Sequence, residues 1–319
     1  LSARLARVEV RGDAGSNERL LQRYLAHLDD APIFNVEDAE RYLLLARDIP
    51  GLDARLTLRP GNAPGEVIGE VTVTRTPFAF DANIQNFGSH DVGRWGGMVR
   101  ARAAGLTGLG DLTTVSLYST ADFEEQQVLQ LSHEMRVGGE GLRLGGSYTY
   151  AWTRPNVAML PLKSHTQIIS LFAGYPLVLT QAKRIQIGGG LDIIDQDIAI
   201  GGVPLNRDRV RVFNLHMDGN WTDPASIAGR HGYTPAEPRW AFGASLEARQ
   251  GVDFLGASKD CGPGGTACFL PGAVPLTRIE GKPDAFVLRA NAQADWRPTP
   301  KFTLAVAPRA QWASDPLVA

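Results

Sequence analysis

From about Thr76 onward the chain is a succession of segments in which apolar and polar residues alternate. The clearest reads Leu142, Leu144, Gly146, Tyr148, Tyr150, Trp152 on one face and Arg143, Gly145, Ser147, Thr149, Ala151 on the other. Successive side chains of a strand point to opposite sides, so this segment is apolar on one side and wet on the other. Its apolar face runs ten residues or more and ends in aromatics. Ten residues rising ~3.3 Å each and tilted by ~45° span roughly 25 Å, the height of the lipid-facing band of an outer-membrane barrel. The pattern predicts eleven strands, at 76–86, 94–104, 111–119, 126–137, 141–153, 164–176, 182–195, 208–221, 239–252, 284–297 and 301–313. Segments 126–137 and 208–221 keep phase least well, and a bulge is expected there.

Residues 1–75 have a different texture. Arg4–Arg11 reads as a strand. Asn17 is placed to cap a helix whose apolar stripe is Leu20, Leu21, Tyr24, Leu25 and Leu28, and Pro32 breaks it. Asn35 is placed to cap a second helix carrying Tyr42, Leu43 and Ala46, ended by Pro50-Gly51. Strands Leu52–Leu58 and Glu66–Thr74 follow, joined by the turn-rich run from Arg59 to Gly65. The order β-α-α-β-β is a small α+β module.

Connections in the long part alternate in length. Gly105–Gly110, Gly138–Gly141 and Leu179–Gln181 are short turns, whereas Arg154–Leu162, Ala199–Asn206 and Phe254–Pro283 read as longer loops. Short turns on one side and long loops on the other are the rhythm of an outer-membrane barrel. Thr222–Pro238 is long on the short side. A large soluble sandwich would also alternate, but sandwich strands are typically about 5–6 residues. Here Trp95, Tyr150, Trp152, Tyr175, Trp221, Trp240 and Trp296 cluster near segment ends, as interfacial girdles do.

Composition adds little pull in any one direction. The 319 residues are 44% hydrophobic, with a formal net charge of −2, which offers no global attraction to nucleic acid. A mean hydropathy of −0.13 argues against membrane-spanning helices. No signal peptide is visible at Leu1; a secreted barrel needs one, so the reading expects a mature chain or one without its natural start. Cys261 and Cys268 close a Gly/Pro-rich loop, which suits a disulfide in an oxidising compartment; free thiols or half a metal site are the alternatives. Strand parity puts that loop outside the cell, and an odd strand count predicts that further strands follow Ala319.

Catalytic chemistry is poorly represented. His27, His90, His133, His165, His216 and His231 are scattered without metal-ligand spacing. Ser132, His133 and Glu134 are strand neighbours and face opposite ways. Gly188-Gly189-Gly190 lies within a strand pattern and reads as relief for close contact, not as a phosphate loop. The reading expects no enzyme, no cofactor and no metal. Charges instead gather on the polar faces: Arg94, Arg100, Arg102, Arg143, Arg184, Arg249, Arg289, Lys301 and Arg309, with Asp81, Glu134, Asp192, Asp218, Glu247 and Asp295. They are candidates for lining a pore, either as an ion-pair network that fills it or as a hydrated path for an unfolded polypeptide.

Several short motifs carry a resemblance. Pro50-Gly51, Leu58-Arg59-Pro60-Gly61 and Gly65 resemble the end of a POTRA (polypeptide-transport-associated) module. Asn86-Phe87-Gly88-Ser89, then Val92-Gly93-Arg94, and Gly105-Leu106-Thr107-Gly108-Leu109-Gly110-Asp111 are similar in order to the TpsB transporters of two-partner secretion, the haemolysin and haemagglutinin secretion barrels. Those have Asp-Asn and Thr-Gly where this chain has Gln85-Asn86 and Val92-Gly93. The resemblance implies a mainly β fold, with residues 1–75 as the second of two POTRA modules and residues 76–319 as the first eleven of sixteen strands of a transmembrane antiparallel barrel. It implies that a first POTRA module and a plug helix precede this stretch and that the Val-Arg-Gly-Tyr pore-loop motif follows it. It also implies a sheet edge at Leu52–Leu58, where Ala54, Arg55, Leu56, Thr57 and Leu58 would pair with an extended peptide. The implied partner is a large unfolded exoprotein with an N-terminal secretion domain, handled by a monomer in outer-membrane lipid with residues 1–75 in the periplasm and no nucleic acid. A barrel-assembly insertase of the same superfamily and a passive porin are the alternatives.

Overall fold

The computed structural model describes all residues except 1–3, 30–35, 62–65, 157–160, 231 and 319. Asn35 and Pro32, and most of the turn after Arg59, fall outside the described residues. The N-terminal module comprises β1 (Arg4–Gly12), α1 (Glu18–Asp29), α2 (Val36–Arg47), β2 (Leu52–Pro60) and β3 (Glu66–Arg75). Its sheet order is β1-β3-β2, with β1 parallel and β2 antiparallel to β3. The stripe Leu20, Leu21, Tyr24, Leu25, Leu28 on α1 is buried, and so are Leu45, Ala46 and Ile49 from α2 and its end. They pack on Leu52, Ala54, Val71 and Val73 of the sheet. Each fully buried leucine contributes about 1.5–3 kcal/mol, so this small core holds the module without other staples.

Asn17 behaves differently from the capping residue expected. It ends a short helical turn, Gly15–Asn17, and is 2% exposed. Its Oδ1 accepts the Gly110 N–H at 3.1 Å, in a turn of the large sheet. A side-chain amide faced with a buried, otherwise unpaired backbone donor satisfies that donor first, because leaving it bare costs about 1–3 kcal/mol.

Residues from Phe78 onward form one antiparallel sheet. Its strands are β4 (Phe78–Gln85), β5 (Gly96–Ala104), β6 (Leu112–Thr120), β7 (Gln126–Val137), β8 (Leu142–Thr153), β9 (Leu162–Leu179), β10 (Lys183–Ile200), β11 (Val203–Thr222), β12 (Trp240–Gly251), β13 (Phe286–Thr299), β14 (Phe302–Val306) and β15 (Arg309–Ala313). Neighbours in sequence are neighbours in space, with β4 at one edge and β14 and β15 beside β13 at the other. Among the described residues these two edges do not pair with each other.

Three expectations change. Segment 301–313 is two strands, yet Val306 opposite Ala294 and Arg309 opposite Asn291 keep one register across the gap. It is one strand interrupted at Pro308, which has no N–H for the ladder. The expected loop Ala199–Asn206 is a tight hairpin in which only Gly201 and Gly202, at φ 59° and 87°, leave the strands. Positive φ at both central residues is the turn whose twist matches the flanking strands, and Gly-Gly adopts it freely. The pairings of β7 show no register shift; the bulge on β11 lies earlier, beside Pro204–Asn206.

The two faces separate over most of the sheet and mix toward the far rim of β10 and β11, where Arg211 stands opposite Ile193 and Val212 opposite Asp192. Cross-strand rows such as Val115–Leu131–Tyr148–Ile169–Ile193 lie on one face. Rows such as Thr114–Ser132–Ser147–Ser170–Asp192 lie on the other. The apolar face is open: Phe80 is 78% and Ile84 82% exposed, and Leu171 and Leu215 exceed half. A contiguous apolar surface of this extent meets lipid or another protein, not water. Aromatics bracket it. Trp240 stands opposite Trp296 and Trp221 against Phe242 at one rim, while Tyr150 and Trp152 mark the other.

Candidate functional site

The module sits on one rim of the sheet, the rim of the short turns. Ser16 Oγ donates to the Gly105 carbonyl, and Arg23 reaches the Gly138 carbonyl at 3.4 Å. On α2, Arg41 donates to the carbonyls of Glu140 and Pro176 at 3.3 and 3.0 Å, and its guanidinium lies 5.8 Å over the Tyr175 ring. Tyr42 donates to Glu140 at 2.9 Å and stacks on His27 at 4.2 Å. Glu40 accepts the Gln181 N–H at 2.8 Å. Leu179 of β9, 3% exposed, belongs to the module's own core. Gly141 takes a positive φ of 82°, and a side chain there would strike Leu45 of α2. The turn is glycine because helix and turn backbone approach that closely.

Arg136 is the centre of this interface. Its side chain is 8% exposed, bonded to the Gly110 carbonyl at 2.5 Å and the Asp48 carbonyl at 2.6 Å, with Glu134 at 3.7 Å. In the sequence it shares the polar face of Glu134, and nothing local distinguishes it from a solvated arginine. Nothing local marks Arg41 either.

Between α2 and β2 runs a groove of about 720 Å³, lined by Ala39, Leu43, Leu44, Ala54, Arg55 and Leu56 and closed at one end by Gln181 of the β9–β10 turn. β2 is at the sheet edge, with Leu52 and Ala54 buried, Leu56 half-buried against the core, and Asp53, Arg55 and Thr57 exposed. The edge thus offers unpaired backbone groups beside a trough that mixes leucines with the charged Glu40, Arg47 and Asp53. Leu58 belongs to the same strand.

The polar face of the large sheet holds most of the other candidates in an ion-pair network. Arg102 pairs with Asp81 at 3.0 Å, and Arg100 donates to Ser116. Arg249 bridges Asp192 and Glu247 at 3.1 and 3.0 Å, and Arg289 meets Glu247 at 3.6 Å. Arg184 pairs with Asp48 of the module at 2.8 Å, and Arg143 donates to Gln186 at 3.2 Å. Arg309 begins β15 opposite Asn291 on the same face. Arg94 is the exception: it is exposed and precedes β5 in the connection after Gly93, because pairing begins only at Gly96.

Cys261 and Cys268 are bonded, with Cα atoms 4.9 Å apart. They lie in the connection between β12 and β13, on the rim away from the module, packed with Leu276, Val210 and Val318. That connection covers the part of β11 that outruns β12: Val252 and Ser258 donate to the carbonyls of Arg211 and Arg209 at 2.9 and 2.8 Å, and Arg207 donates to Pro275 at 2.9 Å. An exposed strand edge is thereby blunted.

The fold is shared with CdiB. The Escherichia coli CdiB matches with a TM-score of 0.73 at 15% identity, over 99% of this chain and 55% of that one. CdiB from Acinetobacter baumannii matches at 0.65 and 15% identity, over 99% and 54%. BamA from Haemophilus ducreyi lacking POTRA domains 1–3 matches at 0.54 and 11% identity, over 98% and 56%. The chain spans about half the length of these proteins. No protein-family model matches the sequence, and no curated protein matches it either.

Proposed function

We propose that this chain belongs to an outer-membrane transporter of the TpsB kind, which passes a large unfolded exoprotein out of the cell, with residues 1–75 in the periplasm. The observation that carries this reading is the open edge and groove of β2, seated on the rim of a sheet that is apolar on one face and charged on the other. Backbone pairing at β2 supplies affinity without demanding one client sequence, and the groove beside Leu43, Leu44 and Leu56 selects alternate side chains. The charged face supplies a wet path, and folding of the client outside supplies direction. The fold shared with CdiB, a two-partner secretion transporter, supports this reading. The fold shared with BamA keeps a second reading, an insertase of the same superfamily.

Proline at Leu56 tests the proposal in the full-length protein, with Leu56→Ala as the control for lost packing. The Thr76 N–H donates to the Gly51 carbonyl, so in this register the Arg55 and Thr57 N–H groups face β3 and the Leu56 N–H faces the open edge; the proline removes that edge donor. Secretion of the exoprotein is expected to fall while heat-modifiable migration of the barrel stays normal. Normal secretion sinks edge pairing; normal secretion with a general loss of other outer-membrane proteins favours the insertase.

A further inference from the structure

Arg136 on β7 and Arg143 on β8 are direct cross-strand partners. Cβ atoms so placed are roughly 4.5–5.5 Å apart, and like charges there oppose one another. Elsewhere on this face opposite charges meet, as at Glu247 and Arg289. Gln186 of β10 accepts from Arg143 at 3.2 Å, Arg184 lies two residues before it on that strand, and the three arginines line one recess of about 200 Å³ with Leu45 and Asp48 of the module. The carboxylates in reach are Glu134, 3.7 Å from Arg136, and Asp48, 2.8 Å from Arg184. Arg143 has no carboxylate within ion-pair distance among the described residues; it donates to the neutral amide of Gln186. Two carboxylates against three guanidinium groups leave the recess positive.

We infer that Arg143 and Arg184, backed by the buried charge of Arg136, form a binding site for acidic side chains of an extended polypeptide. Guanidinium groups bind carboxylates through paired, charge-assisted hydrogen bonds. An incoming carboxylate also relieves the repulsion built into the Arg136–Arg143 pair. The position specifies the ligand. The end of α2 separates the recess from the β2 groove: Leu44, Ala46 and Arg47 line the groove, while Leu45 and Asp48 line the recess. A chain leaving the groove for the charged face of the sheet passes this site first. The polypeptide as source rests on the transport reading; the site itself does not.

The test uses full-length protein in detergent micelles and two fluorescent peptides of equal length, one glutamate-rich and one lysine-rich, followed by anisotropy. The glutamate-rich peptide is expected to bind and the lysine-rich one not. Arg143→Gln should weaken binding about tenfold, the loss of one charged hydrogen bond, and Arg143→Glu should abolish it. Arg207→Gln, on the other face and the opposite rim, should leave affinity unchanged. Heat-modifiable migration controls for folding. Equal binding of both peptides, or an Arg143→Gln variant that binds as the parent does, overturns the assignment. If peptide binding behaves as expected while loss of the full-length protein leaves secretion of the exoprotein intact, the transport reading fails and the anion site stands.

Discussion

Arg136 Nη2 lies 2.6 Å from the carbonyl oxygen of Asp48, tying the rim of the large sheet, at the end of β7, to the end of α2. The two residues are 88 positions apart, and the same guanidinium also holds the Gly110 carbonyl. One buried side chain therefore joins a strand, a turn and the N-terminal module.

Replacing Arg136 by Met keeps much of the packing and removes both bonds. Only the Asp48 bond crosses to the module, and a hydrogen bond to a charged group is worth about 1.5–3 kcal/mol, so docking of the module should weaken by about that much. Amide exchange in α2 and proteolysis at the Thr76–Pro77 connection should both accelerate in the full-length protein. If neither changes, Arg136 is not the tie.

Gly141→Ala adds a methyl group where Leu45 of α2 already sits, at a φ of 82°. The left-handed backbone alone costs about 1–2 kcal/mol for a side-chain-bearing residue. The thermal midpoint of module docking should fall, while Gly202→Ala, with nothing within 4 Å of the added atom, should show the backbone cost only. Equal effects at the two sites would argue against tight helix–turn contact.

The turn 105–111 should be acid-sensitive. Burial alone would raise the Asp111 carboxyl, but hydrogen bonds from the Thr107 hydroxyl and the Thr107 and Leu106 N–H groups outweigh it and hold the group below its ordinary value. A depressed carboxyl stabilises the fold above its unfolded pKa of about 4 and loses that contribution as pH falls through its folded value. Protection of the Leu106 and Thr107 amides should drop on acidification, and Asp111→Asn should remove that pH dependence. Protection that is flat with pH in the parent protein would contradict the assignment.

Serine at both Cys261 and Cys268 should loosen the connection that covers β11. Closing so short a loop contributes roughly 2–3 kcal/mol on the entropic model. Faster exchange of the Arg207 and Arg209 amides, which donate to Pro275 and to Ser258 Oγ, is the expected signature. Mass spectrometry of the non-reduced parent should show that peptide two hydrogens lighter than its reduced form. Unaltered exchange in the double variant would mean that the cover stands without its staple.

Most of the architecture was legible in local pattern. The period of two assigned strands and faces from Phe78 to Trp296, and the helical stripe from Leu20 to Leu28 assigned α1 and its core side. The glycine pair at 201–202 was misread because strand and loop differ there only in how far pairing continues, and that depends on the partner strand. Arg94 was placed on a strand because its phase fitted; the ladder starts two residues later.

What the sequence by itself determined is therefore the alternation: which residues are apolar, that they recur every second position, and that a β-α-α-β-β unit precedes them. These are properties of neighbours along the chain, fixed by backbone geometry. Only the tertiary structure decided that Arg136 ends at Asp48, that Arg41 lies over Tyr175, that Asn17 serves Gly110 instead of its helix, and that two arginines face each other at 136 and 143. All but the last bring together groups some ninety residues or more apart in the chain, and the last depends on strand register. The polarity of a side chain says that it needs a partner; only packing and register say which one it gets.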